Sequence, residues 1–314
     1  MITDGTQEHI KEIAIPQRKS IKKIMPIIGL ILLFSGAAEY SQAEENSFSA
    51  ILDWTRMEIN ISVQVDLKKS GISLPTGRPQ AEERLFNEYI SQTERVLYSI
   101  PFDSSSTIRD LVEDGRLKPN TPAELALSAK TSSPAFSADM NRITGSYTIN
   151  LHTIMSKLKT HDENADFMRT INPPDAPSYT GIIIIANDEL PVHGRHSSAR
   201  LEPCLFPKIW DTDMNLIFDK KFNESQKLPV HYADRDAIFQ RSPSGLSAEL
   251  EYIVGEKPLR IIARELFGVH PTDPVIDTED ARIILSSEEN RRLLREGRLV
   301  IISASELLKT DFSK

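Results

Sequence analysis

Three histidines and one cysteine in the middle of the chain are residue types that could hold a metal ion. His193 and His196 lie three residues apart, and Cys204 and His231 follow. Imidazole and thiolate groups are ligands that zinc prefers in proteins. The Gly- and Ser-containing sequence around His193 has no helix to fix both rings, so a solvated loop is the competing interpretation. The sequence names His193, His196 and His231 as candidate metal ligands and predicts no other cofactor.

Acidic residues between positions 211 and 219 imitate the first half of a calcium-binding loop. That loop has glycine at its sixth position and glutamate at its twelfth. This chain has Leu216 and Phe222 at those positions. The apolar residues on both sides instead predict a hairpin turn between two strands.

The sequence contains no pattern that identifies a catalytic nucleophile. It has no Gly-x-Ser-x-Gly, no phosphate loop and no dinucleotide-binding glycines. The hydroxyl residues at positions 104–107 precede a predicted helix, where Ser and Thr usually cap the helix N-terminus. Cys204 has the apolar neighbours Leu205 and Phe206, which predicts a buried thiol. We therefore predict no catalytic residues and no enzymatic activity.

Charge and cysteine content exclude two classes of protein. The 314 residues carry a net charge of −8, which would repel phosphate backbones, so nucleic acid is not an expected partner. Cys204 is the one cysteine, which rules out an intramolecular disulfide. Four arginines between positions 291 and 298 alternate with glutamates, which is typical of a solvated helix surface.

The first part of the chain predicts a sheet covered by a long helix. Residues 55–67 and 142–151 alternate apolar and polar side chains, as half-buried strands do. Between them, residues 80–100 place apolar side chains at helical spacing. Residues 44–170 are therefore predicted to form an N-terminal α+β domain. Its other predicted elements are short helices over residues 104–113 and 121–130.

A proline-rich linker at residues 171–178 is predicted to lead into a C-terminal α+β domain over residues 179–314. The apolar run at residues 179–186 predicts a strand covered on both faces. Residues 259–267 fit either a helix or a strand. The predicted fold class is α+β, with two small domains, each a mixed or antiparallel sheet covered by a few helices. The last predicted elements are a helix over residues 279–295 and a strand over residues 298–303.

The N-terminus has the order of regions found in a secretory signal peptide. Basic residues at positions 18–23 precede an apolar run at positions 25–38, and small side chains follow at Ser41 and Ala43. The run is shorter than the ~20 residues needed to span a bilayer. We therefore expect cleavage near Ala43 and a mature protein in the periplasm or cell envelope. An uncleaved leader would be the expected membrane contact.

Several segments between residues 179 and 303 resemble a pattern shared by exported bacterial proteins. The pattern includes Thr-Gly-Ile-Ile-Ile from residue 180, Pro-Leu-Arg-Ile-Ile from residue 258, Asp-Pro-Val-Ile from residue 273 and Gly-Arg-Leu-Val-Ile from residue 297. Some proteins with this pattern are envelope lipoproteins or are similar to flagellar assembly protein T. With its N-terminal half included, the chain resembles an uncharacterised exported family of spirochaetes. The resemblance implies an envelope or motility-associated role and no assigned reaction.

These observations predict an exported protein with a structural or assembly role, which acts through contacts with other envelope proteins. Association with the flagellum is one form that this role could take. Two alternatives stay open. One is a metal-dependent envelope hydrolase that uses His193, His196 and His231. The other is a ligand- or glycan-binding module in which Trp210 and Tyr179 stack on a sugar.

Overall fold

A computed structural model of the chain describes residues 47–159, 166–168, 174–223 and 228–313. The predicted signal peptide lies outside these residues, as does part of the proline-rich linker. The described residues confirm the predicted α+β class, since helices alternate with several separate sheets.

The first half of the chain forms an antiparallel sheet with one strand from the end of the chain, β18 (Lys309–Asp311). The strand order is β18-β1-β2-β7-β5, and β6 also pairs with β7. The long central strands β2 and β7 pair in register from Glu58 opposite Asn150 to Asp66 opposite Arg142. The elements of this half are β1 (Ser47–Asp53), β2 (Glu58–Asp66), α1 (Arg78–Tyr98), β3 (Pro101–Asp103), β4 (Ser106–Thr107), α2 (Ile108–Glu113), α3 (Thr121–Ala126), β5 (Lys130–Thr131), β6 (Ala135–Phe136), β7 (Arg142–Asn150) and α4 (Leu151–Leu158).

Alternation along the strands directs one face of this sheet toward α1. The apolar residues of β2 are buried and its polar residues are exposed or half-buried, as the sequence predicts. Tyr89 of α1 stacks on Tyr147 of β7 with ring centroids 3.6 Å apart. The Tyr89 hydroxyl donates to the carbonyl of Ala126, which joins α1 to the end of α3.

The second half contains two four-stranded sheets. A parallel sheet has the order β13-β17-β8-β14, and a mixed sheet has the order β12-β11-β16-β15. Their elements are β8 (Ile182–Ile185), β9 (Leu190–Pro191), β10 (Ser198–Ala199), β11 (Ile209–Asp211), β12 (Leu216–Phe218), β13 (His231–Ala233), α5 (Ala248–Val254), β14 (Leu259–Ile262), β15 (Glu265–Phe267), β16 (Asp273–Ile276), α6 (Thr278–Ser286), α7 (Glu288–Arg295), β17 (Leu299–Ile302) and β18 (Lys309–Asp311), with 3₁₀ turns at Lys220–Phe222, Arg235–Ile238 and Ser305–Leu307.

The apolar run predicted as a covered strand forms β8, which lies between β17 and β14. The ambiguous segment at residues 259–267 forms two strands, β14 and β15, and these belong to different sheets. Of the two interpretations of this segment, the strand is therefore correct and the helix is not.

One predicted element is wrong. The helix expected over residues 279–295 is two helices, α6 and α7, which meet at Ser287. Ser287 has extended backbone angles, and its hydroxyl accepts a hydrogen bond from the Asn290 N–H at 3.1 Å. The Ser287 side chain caps the N-terminus of α7, which favours a new helix over the continuation of α6. Two glutamates in the first turn of α7 also favour a helix start at this position.

The described residues form one compact unit. The final strand, β18, pairs with β1, so the end of the chain completes the first sheet. Leu205 and Phe206 donate main-chain hydrogen bonds to the carbonyls of Pro101 and Phe102. The ammonium of Lys220 lies 4.2 Å from the ring centroid of Phe102 and 4.7 Å from that of Phe206. Strand pairing and this cation–π contact therefore bind the two halves together.

Candidate functional site

The structure places the three candidate metal ligands in separate surroundings. His193 follows β9, and its Nδ1 lies 2.7 Å from Oε2 of Glu265 on β15. His196 is exposed in the turn between β9 and β10, and His231 opens β13 in the parallel sheet. The described ranges contain no group of three or more His, Cys, Asp or Glu side chains that could hold a metal ion.

His231 is partly buried and favours its neutral form. Burial, with a smaller effect from the charge of nearby His152, lowers its pKa from 6.5 to about 4. A ring of this kind is uncharged at neutral pH, so its contribution to the surrounding surface is a hydrogen-bonding group and not a positive charge.

Cys204 is fully buried, as predicted. Burial and the negative charge of Asp273 raise the pKa of its thiol. The main chain of Cys204 exchanges two hydrogen bonds with the Tyr232 hydroxyl, which accepts from the N–H at 3.1 Å and donates to the carbonyl at 3.0 Å. The environment of this thiol is that of a core residue and not of a nucleophile.

The acidic segment at residues 211–219 forms the predicted hairpin. Asp211 ends β11 and is buried, and its Oδ1 accepts from the main-chain N–H groups of Asp213 and Asn215 at 3.0 and 2.7 Å. Its Oδ2 accepts from the Asn215 side chain. The carboxylate therefore holds the turn between β11 and β12 closed.

The hydroxyl segment before α2 also forms the predicted helix cap. Thr107 and Asp110 make a reciprocal capping box at the start of α2. Asp103 accepts hydrogen bonds from Ser105 and Ser106. Burial pushes the pKa of Asp103 up, but these hydrogen bonds and the charge of Lys208 outweigh burial and leave the pKa lowered.

The arginines near the C-terminus form the solvated helix surface that their spacing predicts. Arg291 and Arg295 both pair with Glu288, while Arg292 and Arg298 pair with Glu296. These arginines are therefore partnered within the chain.

Sequence reasoning missed Asp273, the residue that anchors Trp210. Asp273 is fully buried at the start of β16. It accepts from the Lys208 N–H at 2.9 Å, from Trp210 Nε1 at 3.2 Å and from the Thr272 hydroxyl at 3.1 Å. Trp210 also lies 5.4 Å from Phe267 between ring centroids, so the tryptophan is a half-buried part of the mixed sheet. In the sequence, the pair formed by this aspartate and the proline that follows it is the feature that could have pointed to Asp273.

The carboxyl ends of the parallel strands surround a polar crevice of about 210 Å³. Asn187 follows β8, Asp234 follows β13 and Ser303 follows β17, so three strands supply its lining. Ligands of α/β sheets commonly bind at this edge. Arg200 and Glu306 pair across the lining. The lining therefore carries charges of both signs and favours neither an anion nor a cation.

The two faces of the parallel sheet are covered unequally. One face packs into the large core that continues into the first half of the chain. The other packs under α5, the 3₁₀ turn at Arg235–Ile238 and the loop that joins them. Parallel sheets are usually covered on both faces by helices. We call this second side the thinly covered face.

Domain models from one spirochaete protein match the chain in succession. Residues 45–157 match the N-terminal domain of Treponema pallidum Tp0624, and residues 181–305 match its second domain. The chain belongs to the Tp0624 family. This confirms the predicted relation to a spirochaete family. No curated protein matches the chain.

The candidate surfaces of this Tp0624-family chain lie in the segment that matches the second domain of Tp0624. The parallel sheet, the polar crevice and the thinly covered face all lie within residues 181–305, apart from Glu306 at the rim of the crevice. The first match contains the antiparallel sheet and α1. Strand β18 lies beyond both matches although it completes the first sheet.

Proposed function

We propose that this Tp0624-family protein is exported to the bacterial envelope and acts there through contacts with other proteins, in a structural or assembly role. The leader pattern at residues 1–43 supports export. Within the described ranges, none of the helices has the length and apolar character to cross a membrane. The resemblance that the sequence suggests to relatives of flagellar assembly protein T and to envelope lipoproteins supports flagellar assembly as one such role.

The observation that carries this proposal is a set of large side chains around the thinly covered face that remain exposed. Tyr252 of α5 is 91% exposed, Phe239 after the 3₁₀ turn is 65% exposed, and Ile262 of β14 is 64% exposed. Single exposed apolar residues are common, but several on one sheet face and on the segments around it mark an interaction surface. Aromatic residues are also enriched at protein interfaces.

Site-specific photo-crosslinking in living cells tests this proposal. A photoreactive phenylalanine analogue replaces Tyr252 or Ile262, and Leu127 of the first half, which is about as exposed as Ile262, serves as the control position. We expect discrete adducts from positions 252 and 262 and none of the same mass from position 127. Identical adduct patterns at all three positions, or none at any, would contradict a dedicated contact surface.

Processing of the leader is a separate test. We expect the N-terminus of the protein recovered from envelope fractions to be Glu44, because Ser41 and Ala43 present small side chains to the signal peptidase. Mass spectrometry of the terminal peptide decides this. A chain that begins at Met1 in the cytosolic fraction would refute both cleavage and export.

A further inference from the structure

We propose that a groove beside the edge strand β13 binds an extended, positively charged peptide segment, which pairs with β13 as an additional strand. The groove has a volume of about 370 Å³ and runs between β13, α5 and Thr55 of the first half. This inference deepens the proposed function, since it assigns a kind of partner to one part of the surface around the thinly covered face.

The outer side of β13 pairs with no strand in the described part of the chain. Within those residues β13 is at the end of its sheet and pairs with β17 alone. Ser303 donates its N–H to the carbonyl of Ala233, so residues 231 and 233 direct their main-chain groups toward β17. Alternation then turns the N–H and carbonyl of Tyr232 toward the open edge. An extended peptide can bind to such an edge through main-chain hydrogen bonds.

The charges of the groove select a cationic partner. Asp234, Asp236 and Glu249 contribute to its lining, and no lysine or arginine does so among the described residues. None of the three carboxylates forms an ion pair within those residues, although Asp234 caps the Arg235–Ile238 turn by accepting from Ala237 N–H. His231 adds no positive charge at neutral pH, because burial lowers its pKa to about 4. Complementary charges across an interface favour fast and selective binding.

The wall of the groove also suits a strand with alternating side chains. The buried Leu250 and the half-buried Ile253 of α5 contribute apolar atoms to the lining, while the Asp236 and Glu249 side chains in the lining are exposed. Successive side chains of a bound strand point in opposite directions, so one set would meet the apolar wall and the other the carboxylates. The polar crevice shares Asp234 and Asp236 with the groove, but its lining also contains Arg200 and Arg235, which contribute positive charge.

Fluorescence anisotropy with a labelled heptapeptide of alternating lysine and valine tests this inference on the full chain. We expect saturable binding that weakens at least about tenfold in the double variant Asp236→Asn, Glu249→Gln. The matched control, Glu83→Gln with Glu113→Gln, removes two exposed carboxylates from the first half and should leave the affinity within about twofold. Circular dichroism checks that both variants are folded.

A second peptide separates strand pairing from simple charge attraction. It has the same sequence and charge but carries N-methyl groups at alternate main-chain nitrogens, which prevents pairing along a strand edge. We expect its binding to be at least tenfold weaker. Equal binding of the two peptides, equal weakening by the two double variants, or no binding would each overturn the inference. None of these results would remove crosslinks formed at Tyr252 or Ile262, so the proposed function is tested independently.

Discussion

At the scale of single residues, tertiary structure gives the candidate histidines different chemistry. His193 lies beside Glu265, where a carboxylate can accept from its ring. His231 lies on an edge strand where burial lowers its pKa to about 4. The exposed ring of His196 has neither environment. Sequence spacing alone could not distinguish these three, because burial and partners come from strands far apart in the chain.

The lowered pKa of His231 predicts a loss of stability in mild acid. In the unfolded chain this ring takes up a proton near pH 6.5, whereas in the folded chain it does so near pH 4. Between pH 6.5 and 4 the ring therefore binds a proton in the unfolded chain but not in the folded chain. This lowers the free energy of unfolding as the pH falls from 6.5 toward 4, by up to about 3 kcal/mol, whereas above pH 6.5 there is no such loss. Urea unfolding of wild type and His231→Gln between pH 7 and 4 should show a weaker pH dependence in the variant.

The exposed His196 offers the control for this measurement. His196→Gln should keep the wild-type dependence on pH, since its ring is exposed in a turn. Parallel curves for wild type and His231→Gln would show that His231 titrates normally in the folded chain.

At the scale of elements, the break between α6 and α7 positions the chain that enters the parallel sheet. Ser287 starts α7, and α7 carries the buried Asn290. The Asn290 side chain accepts from Tyr179 N–H at 3.2 Å and donates to the carbonyl of Ile283 at 3.2 Å. One continuous helix would have changed the direction of Asn290, so the cap at Ser287 helps to fix the approach to β8.

Removal of the Ser287 cap should destabilise the protein by about 1 kcal/mol, because the Asn290 N–H at the start of α7 loses its acceptor. The measurement is the free energy of unfolding of Ser287→Ala in urea. Ser286→Ala is the matched control, since the Ser286 hydroxyl donates to the Ile283 carbonyl, which keeps its hydrogen bond from Asn290 when that hydroxyl is removed. We expect the control to change stability by less than about 0.5 kcal/mol. Equal losses in both variants would contradict the capping role.

At the scale of the whole molecule, the last strand closes the first sheet. Lys309, Thr310 and Asp311 pair with Asp53, Leu52 and Ile51 of β1, and Phe312 donates to the carbonyl of Ala50. The described chain therefore returns to its first strand after the second half is complete. The N-terminal half depends on residues more than 250 positions away in sequence.

Deletion of residues 309–314 should loosen β1 and destabilise the protein by roughly 2–4 kcal/mol, through lost main-chain hydrogen bonds and exposure of the core edge. Hydrogen–deuterium exchange should rise most in the peptide that covers Ser47–Asp53. Deletion of residues 313 and 314 alone keeps β18 and serves as the control. Unchanged exchange in β1 after the longer deletion would show that this pairing adds no protection.

The sequence alone determined the local elements, and the tertiary structure decided where they meet. Alternation predicted β2 and β7, helical spacing predicted α1, and the apolar run predicted β8, because these patterns depend on neighbouring residues. Strand pairing depends on distant residues. The sequence therefore did not show that β14 and β15 enter different sheets, that β18 joins β1, or that Asp273 holds Trp210. The open edge of β13 has the same origin, since an edge exists only once the order of strands in the sheet is set.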